Sequence, residues 1–436
     1  MTLSSSLNAG VAGLTVNSSK LGTISDNIAN SQTSGYKRAD TAFSSLVIPG
    51  SESRYSAGGV RAVTVRDIEG RGGIVTSSNP GDIAISGRGF FPIAPAGALD
   101  NVDGDIPAQF ITTGSFRTDA DGILRTATGQ ALLGWPADPD GTVPEFPRDT
   151  TDGLAPVRIS TSDLARSPTT EIGLGVNLPA AATQAGALGT SIPLGIEYFD
   201  NVGASQTLNL TFTPTVPATG SSNEWTVTIE DSLTAAAANP VASFVVQFDD
   251  SAALGGSILA VPTTTGGAYD VTTGIFTFNV AGGPISMNLG QPGETSDGLS
   301  QLSAEFGPTA VTKNGAPVAS LESFFIDENG FVQATFGGGF SRIIYQVPVA
   351  NFPNNNGLTA LDGQAFSPSA LSGALFLWNA GDGPTGSVIG FALEESNADI
   401  AAELTALIET QRAYSSNATV IQTVDEMLQE TTNIKR

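Results

Sequence analysis

Residues 25–38 read SDNIANSQTSGYKR, and the reading of this stretch decides the fold of the whole chain. Asn27 and Asn30 stand on either side of Ile28 and Ala29, and the stretch closes on Gly35, Tyr36 and Lys37. Upstream of it, Leu7, Leu14, Leu21 and Ile28 recur every seven residues, with Leu3, Val11 and Ile24 filling the adjacent turns, as in a coiled-coil stripe. Gly10, Gly13 and Gly22 interrupt the pattern, each costing roughly 1 kcal/mol of helix propensity relative to Ala. A helix over residues 3–28 is therefore expected, and it needs a partner to be stable. Beyond it, asparagine side chains can satisfy backbone groups freed where a helix ends, and Gly35 permits a turn that a residue with Cβ resists.

The other end of the chain offers that partner. Leu393, Ile400, Leu407, Tyr414, Ile421 and Leu428 form a second seven-residue series, widened by Leu404, Ile408 and Val424. Neither Gly nor Pro occurs from Phe391 onward, so a helix of about 36 residues, roughly 54 Å long, is expected over residues 393–428. The two helices can form a private hairpin within one monomer or pack against other copies. The poor propensity of the first helix and the small core a single pair encloses favour other copies. Each covered leucine then contributes on the order of 1.5–3 kcal/mol.

Between the ends the pattern changes to short alternating runs, among them VRAVTVRDI, DIAISGRGFF, QTLNLTFTPTV, EWTVTIEDS and SRIIYQVPV, separated by Gly, Pro, Asn and Asp. These are expected strands. TDADGILRT and DENGFVQATF read as hairpin turns, and the Gly/Thr-rich stretch near residues 263–269 reads as a loop. The expected fold class is α+β and multidomain: terminal helices forming a coiled-coil-like core domain from 1–35 and 393–436, and two mainly-β domains inserted between them. An extended connector spans 36–70, an inner β domain draws on 71–148 and 317–392, and an outer β domain covers 149–316.

Composition excludes much chemistry. The 436 residues contain neither Cys nor His, which removes thiol nucleophiles, disulfides, imidazole bases and the usual zinc or iron ligand sets. Eighteen Lys plus Arg against forty-two Asp plus Glu leave a net charge of −24, so nucleic acid is not an expected partner. There is no basic, apolar leader of the cleaved-signal kind and no run long enough to span a bilayer, so neither signal cleavage nor membrane insertion is expected. EGRGGIV at Glu69 and SGRGFF at Ser86 lack the spacing of a phosphate loop. Asp-rich turns at Asp100, Asp119 and Asp138 lack the ligand spacing of a calcium loop and read as backbone turns. No catalytic residue, metal or cofactor is expected, and the chain reads as non-enzymatic.

With these features in place, the chain resembles the bacterial flagellar axial proteins, and within them the hook branch. LNAGVAGLTVNSSKLGTISDNIANSQTSGYKRADTAF resembles the N-terminal motif of the family, with Asn27, Ile28, Ala29 and Asn30 as its asparagine core and Gly35, Tyr36 and Lys37 as its exit. LEESNADIAAELTALIETQRAYSSNATVIQTVDEML resembles the C-terminal helix, with Ser396, Asn397, Glu403, Leu404, Gln411, Arg412 and Tyr414 in the expected places. DIAISGRGFF, TTGSFRTDADGILRTATGQALLGWPAD and YQVPVANFPNNNGLTALDGQAFSPS are usual in the hook and distal-rod branch. The β-rich section containing IEYFDNVGASQTLNLTFTPTVPATGSSNEWTVTIEDS favours hook over the shorter distal rod.

The resemblance implies an extracellular structural subunit that polymerises into a curved hollow tube, a flexible joint passing torque from rod to filament. It implies that Leu7, Leu14, Leu21, Ile28, Leu393, Ile400, Leu407, Tyr414, Ile421 and Leu428 lie in the inter-subunit core. The implied partners are many copies of itself, the distal rod protein, the hook-filament junction protein, the hook cap protein and the flagellar type III export apparatus. The alternatives are a distal-rod or hook-associated axial protein and, from another class, a monomeric secreted carbohydrate-binding β protein.

Overall fold

The computed structural model describes residues 3–46, 58–100, 107–160, 164–294 and 298–434. The chain divides into a first unit of Met1–Thr161, Ser323–Ala334 and Arg342–Arg436 and a second of Ser162–Glu322 and Thr335–Ser341.

In the first unit, helix α1 runs over Leu3–Ala29 and helix α2 over Ile400–Ile434. The start of α1 and its end agree with the periodicity. The end of α1 is set by polar groups: Asn30 donates from its backbone N and from Nδ2 to the Asp26 carbonyl, at 3.0 and 2.9 Å. Gly35 then takes φ +72°, where an added Cβ would meet Thr113 Cγ2 at 2.9 Å.

The expected start of the second helix is corrected. Leu393 lies on the strand Ala392–Glu394, paired antiparallel with Ile74–Thr76 in the register Val75↔Leu393. Helix α2 begins seven residues later, where Asp399 Oδ1 accepts the backbone N–H groups of Ala401 at 2.8 Å and Ala402 at 3.3 Å, an N-cap.

Between α1 and the sheets the chain forms an antiparallel ribbon, Ala39–Ser45 against Val60–Arg66. The ribbon lies along α1, with the Thr23 and Thr41 hydroxyls 3.1 Å apart and Lys20 Nζ 5.2 Å from the centre of the Phe43 ring. The β part of this unit encloses Phe90, Phe110, Trp135, Phe352, Phe366 and Leu377. Phe110 and Phe352 meet edge to face at 5.0 Å. The TDADGILRT stretch is a hairpin, Arg117–Thr118 against Leu124–Arg125. Its Asp119 spends Oδ1 on the N–H groups of Asp121 and Ile123, and Asp140 likewise accepts from Thr142. Both are backbone turns. The turn at Asp100 runs into residues 101–106, outside the described residues.

The second unit contains a meander of five antiparallel strands: Ile192–Phe199, Ser205–Pro214, Glu224–Asp231, Ala242–Phe248 and Ile258–Thr265. A second sheet centres on Glu171–Pro179, flanked in parallel by Gly283–Asn288 and Leu299–Leu302 and antiparallel by Gly307–Lys313. Strict burial of alternate residues drives the inner faces into one core that includes Leu210, Phe212, Trp225, Phe244, Phe276 and Met287. The stretch read as a loop near residues 263–269 is mostly strand, shared by Ile258–Thr265 and Gly267–Asp270. Its β-branched threonines suit a sheet; of its two glycines Gly266 forms the bend and Gly267 opens the second strand, paired with Phe278.

Candidate functional site: helix seam and joint

The two helices pack along a line beside the predicted stripes. On α1 the buried positions are Ser5, Gly10, Gly13, Val16, Asn17, Ile24 and Asn27, whereas Leu7, Leu14, Leu21 and Ile28 are half-buried. On α2 the buried line is Glu403, Thr410 and Val424, with Asn417 half-buried at the remaining seven-residue step. Leu407 and Ile421 are half-buried, and Ile400, Tyr414 and Leu428 are exposed. Leu393 lines a hollow beside the helix ends with Gln32, Val75 and Ala401.

The glycines explain this choice of face. A Cβ on Gly10 would sit 3.2 Å from Ile421 Cγ1, and one on Gly13 would sit 2.9 Å from Asn417 Nδ2. Leucine at those places would hold the axes apart. Val16, Ile24 and Val424 are buried, whereas other large apolar side chains of α2 face away from the seam: Leu404 is 46% exposed, Ile408 52% and Met427 55%.

Below the seam the motif residues form a buried polar joint. Asn27 occupies both ends of its amide: Oδ1 accepts Ala39 N at 2.9 Å and the Tyr36 hydroxyl at 3.0 Å, while Nδ2 donates to Ala39 O at 2.8 Å and to Glu403 Oε1 at 3.1 Å. Tyr36 also donates to Asp26 Oδ2 at 3.0 Å. Burial and the Asp26 carboxylate push the Tyr36 phenol up to about 12. Ile28 is half-buried and Ala29 is exposed, so the hydrogen bonds of the motif come from its polar members.

Lys37 and Glu394 form an ion pair at 2.7 Å with both side chains 1% exposed. Lys37 Nζ also donates to Gly70 O at 2.8 Å, and Glu394 Oε1 accepts Gly72 N at 2.9 Å. EGRGGIV is thus part of the joint. An added Cβ on Gly72 would fall 2.0 Å from Glu395 O, so the glycine serves close approach of two backbones. Burial pushes the Lys37 ammonium below the ordinary lysine value, opposed by Glu394. Burial alone would push Glu394 up, but Lys37 first, then Thr112 and Arg71, together hold the carboxyl below its usual range. Arg38 pairs with Glu403.

Glu394, Arg38 and Arg71 are members of this network that sequence reasoning gave no role, and Asn397 and Glu403 were matched to the family's C-terminal motif without one. The available signal was scarcity: in a chain with 14% charged residues, charges flank the inner ends of both helices. Buried ion pairs add little net stability, since desolvation offsets attraction, but breaking one side costs about 3–5 kcal/mol. Such a network fixes geometry. Among the described residues, no group of three or more acidic side chains is placed to hold a metal, and no helix is long and apolar enough to cross a membrane.

Comparisons with known proteins match both termini to known families. The family described as "Flagella basal body rod protein" matches residues 7–37, and "Flagellar basal body rod FlgEFG protein C-terminal" matches residues 390–434. The flagellar hook protein FlgE of Brucella suis is 32% identical over 444 residues, covering 100% of both chains. That of Salmonella typhimurium is 28% identical over 440 residues, covering 99% of this chain and 100% of its own. Among solved structures, the flagellar hook protein FlgE2 of Helicobacter pylori aligns with a TM-score of 0.44 at 14% identity, covering 72% of this chain and 98% of its own.

Proposed function

The chain belongs to the flagellar hook protein family, and from that premise we propose how its parts serve a structural subunit of the bacterial flagellar hook. Copies assemble into a curved hollow tube that passes motor torque from rod to filament. The observation that carries the reading is the apolar surface the helix pair leaves uncovered, with Leu404, Ile408, Val420 and Met427 all exposed in one chain. Leu404 and Ile408 stand on one side of α2 and Val420 and Met427 on another, so large apolar side chains are open on both flanks, as at a contact surface. Neighbouring helix pairs would cover it, with Leu7, Leu14, Leu21, Ile28, Ile400, Leu407, Tyr414, Ile421 and Leu428 flanking each intrachain seam in a coiled-coil-like core. Leu393 would contribute from its strand at the edge of that core.

In this reading the helices line the tube and the ribbon and sheets of the first unit form the shell around it. The second unit supplies the outer domain, whose contacts exchange as each row of subunits lengthens and shortens. Contacts that repeat without closing into a ring generate a helical tube from one chain type. The role is structural and non-enzymatic. Export by the flagellar type III apparatus and assembly beside the distal rod, junction and cap proteins follow from the same reading.

Leu404→Asp tests it. The exposed site should tolerate the charge in the isolated chain, with stability within about 0.5 kcal/mol of the parent, while electron microscopy finds no tubes. Tubes of ordinary length and number from the variant would sink the proposal.

A further inference from the structure

The chain passes between the helices and the sheets of the first unit twice, outward from α1 through residues 30–39 and back through residues 395–399 into α2. Two unsupported passages would act as swivels. Here they are sewn together. Gly35 N donates to Glu394 O at 2.8 Å, Asn397 N donates to Tyr36 O at 3.3 Å, and Arg38 N donates to Asn397 Oδ1 at 2.6 Å. Asn397 Nδ2 reaches the carbonyls of Asp67 at 3.2 Å and Gly70 at 3.3 Å.

Neighbouring residues of an extended segment point to opposite sides, and the exit segment uses that alternation. Lys37 grips Glu394, the last residue of the strand Ala392–Glu394. Arg38, the next residue, grips Glu403 in the first turn of α2. The two acids bracket the returning passage on its sheet side and its helix side. Asn27 adds α1 to the same clamp through Glu403.

We infer that this bracket makes the double crossing a splint: the helix pair and the sheets of the first unit move as one piece under load, and the bending of the tube is taken up outside the crossing. Lys37, Arg38, Glu394 and Glu403 are positioning residues for that transmission. The mechanical consequence rests on the hook reading, whereas the splint is a property of the single chain.

The test uses the full-length chain and hooks isolated from cells. Arg38→Met with Glu403→Gln removes the helix-side tie without stranding a buried charge, and Lys37→Met with Glu394→Gln removes the sheet-side tie. Hydrogen exchange at the amides of Gly35, Arg38 and Asn397 is expected to speed up at least about tenfold in the helix-side double variant, with the strand Ala131–Pro136 unaffected. Arg38→Lys, which keeps the charge, is expected to recover slow exchange. Hooks built from the double variant should be less stiff in their shape fluctuations than parental hooks. Unchanged exchange at the three amides overturns the splint, as does equal loss in Arg38→Lys and Arg38→Met. Faster exchange with hooks of parental stiffness overturns the transmission role. If the unmutated chain formed no hook, the hook reading would fail while the exchange result still decided the splint.

Discussion

The helices of the first unit and the meander of the second make opposite use of apolar side chains. On the meander, Leu208, Leu210 and Phe212 from one strand and Trp225, Val227 and Ile229 from the next are all buried. On the helices, Glu403, Thr410, Gly10 and Gly13 lie inside while Leu404, Ile408 and Met427 face out. The sheets close their own core within one chain. The second helix exposes most of its large side chains, and small or polar ones lie among those between the pair, so the apolar surface left open would be completed by other molecules.

The largest effect expected from this contrast lies in the sheets. Phe212→Ala should cost the second unit about 3–5 kcal/mol, read from Trp225 fluorescence during denaturant unfolding with Trp135 and Trp378 replaced by Phe. Helix content by circular dichroism should not change at low denaturant. A matching loss of helix signal would break the contrast between a self-contained unit and a dependent one.

Asn27→Ala comes next. It leaves the Ala39 N–H short of an acceptor and the Ala39 carbonyl and Glu403 each short of a donor, while Tyr36 keeps Asp26, so a loss of about 2–3 kcal/mol from the first unit is expected. Calorimetry should show its transition shift and that of the second unit stay. A shift of both together would count against independence.

Acid should act on the two units through different carboxylates. Glu394 sits below its usual range for the reasons given above. Asp231, buried in the second unit, is pushed up by burial but held below its usual range by hydrogen bonds, first from Thr234 and then from Tyr198. A depressed carboxyl adds stability that is complete above its unfolded value, about 4.3 for Glu and 3.9 for Asp. That stability is lost as pH falls through the folded value. Thermal melting followed below about pH 4 should therefore weaken both units. Glu394→Gln should flatten the acid dependence of the first unit only, and Asp231→Asn that of the second only. Flattening of the wrong transition would reassign the groups.

The smallest effect concerns α1 itself. An added Cβ on Gly22 meets nothing within 4 Å, whereas one on Gly13 meets Asn417. Gly22→Ala should stabilise the helix by roughly 0.8–1 kcal/mol, seen as slower amide exchange in its last two turns. Gly13→Ala should gain less, because the seam has to open. Equal gains would show that α1 does not depend on close approach to α2.

Much of the fold was legible because its signals are local. The bounds of α1, the strand runs and the hairpin at Asp119 follow from side-chain periodicity and turn chemistry, which act within a few residues. The start of α2 was missed because Leu393 falls in the seven-residue series while its backbone pairs with Val75, far away in sequence. The line along which the two helices of one chain approach carries no apolar signal of its own. Apolar spacing marks where large side chains lie, but two helices can approach most closely where side chains are smallest, as at Gly10 and Gly13, which by propensity alone only weaken the helix.

Of the joint, the polar exit and its turn are readable in the sequence, and the resemblance to the axial proteins picks out Asn27, Gly35, Tyr36 and Lys37. Only the tertiary structure decided their partners. Lys37 and Arg38 are adjacent in the chain, yet their carboxylates lie at Glu394 and Glu403, more than 350 residues away. Charge type and local spacing carry no information about which distant strand or helix end returns to the same place. That choice is made by the packing of the whole first unit, where burial strips water from these groups and leaves each with the partner that can satisfy it.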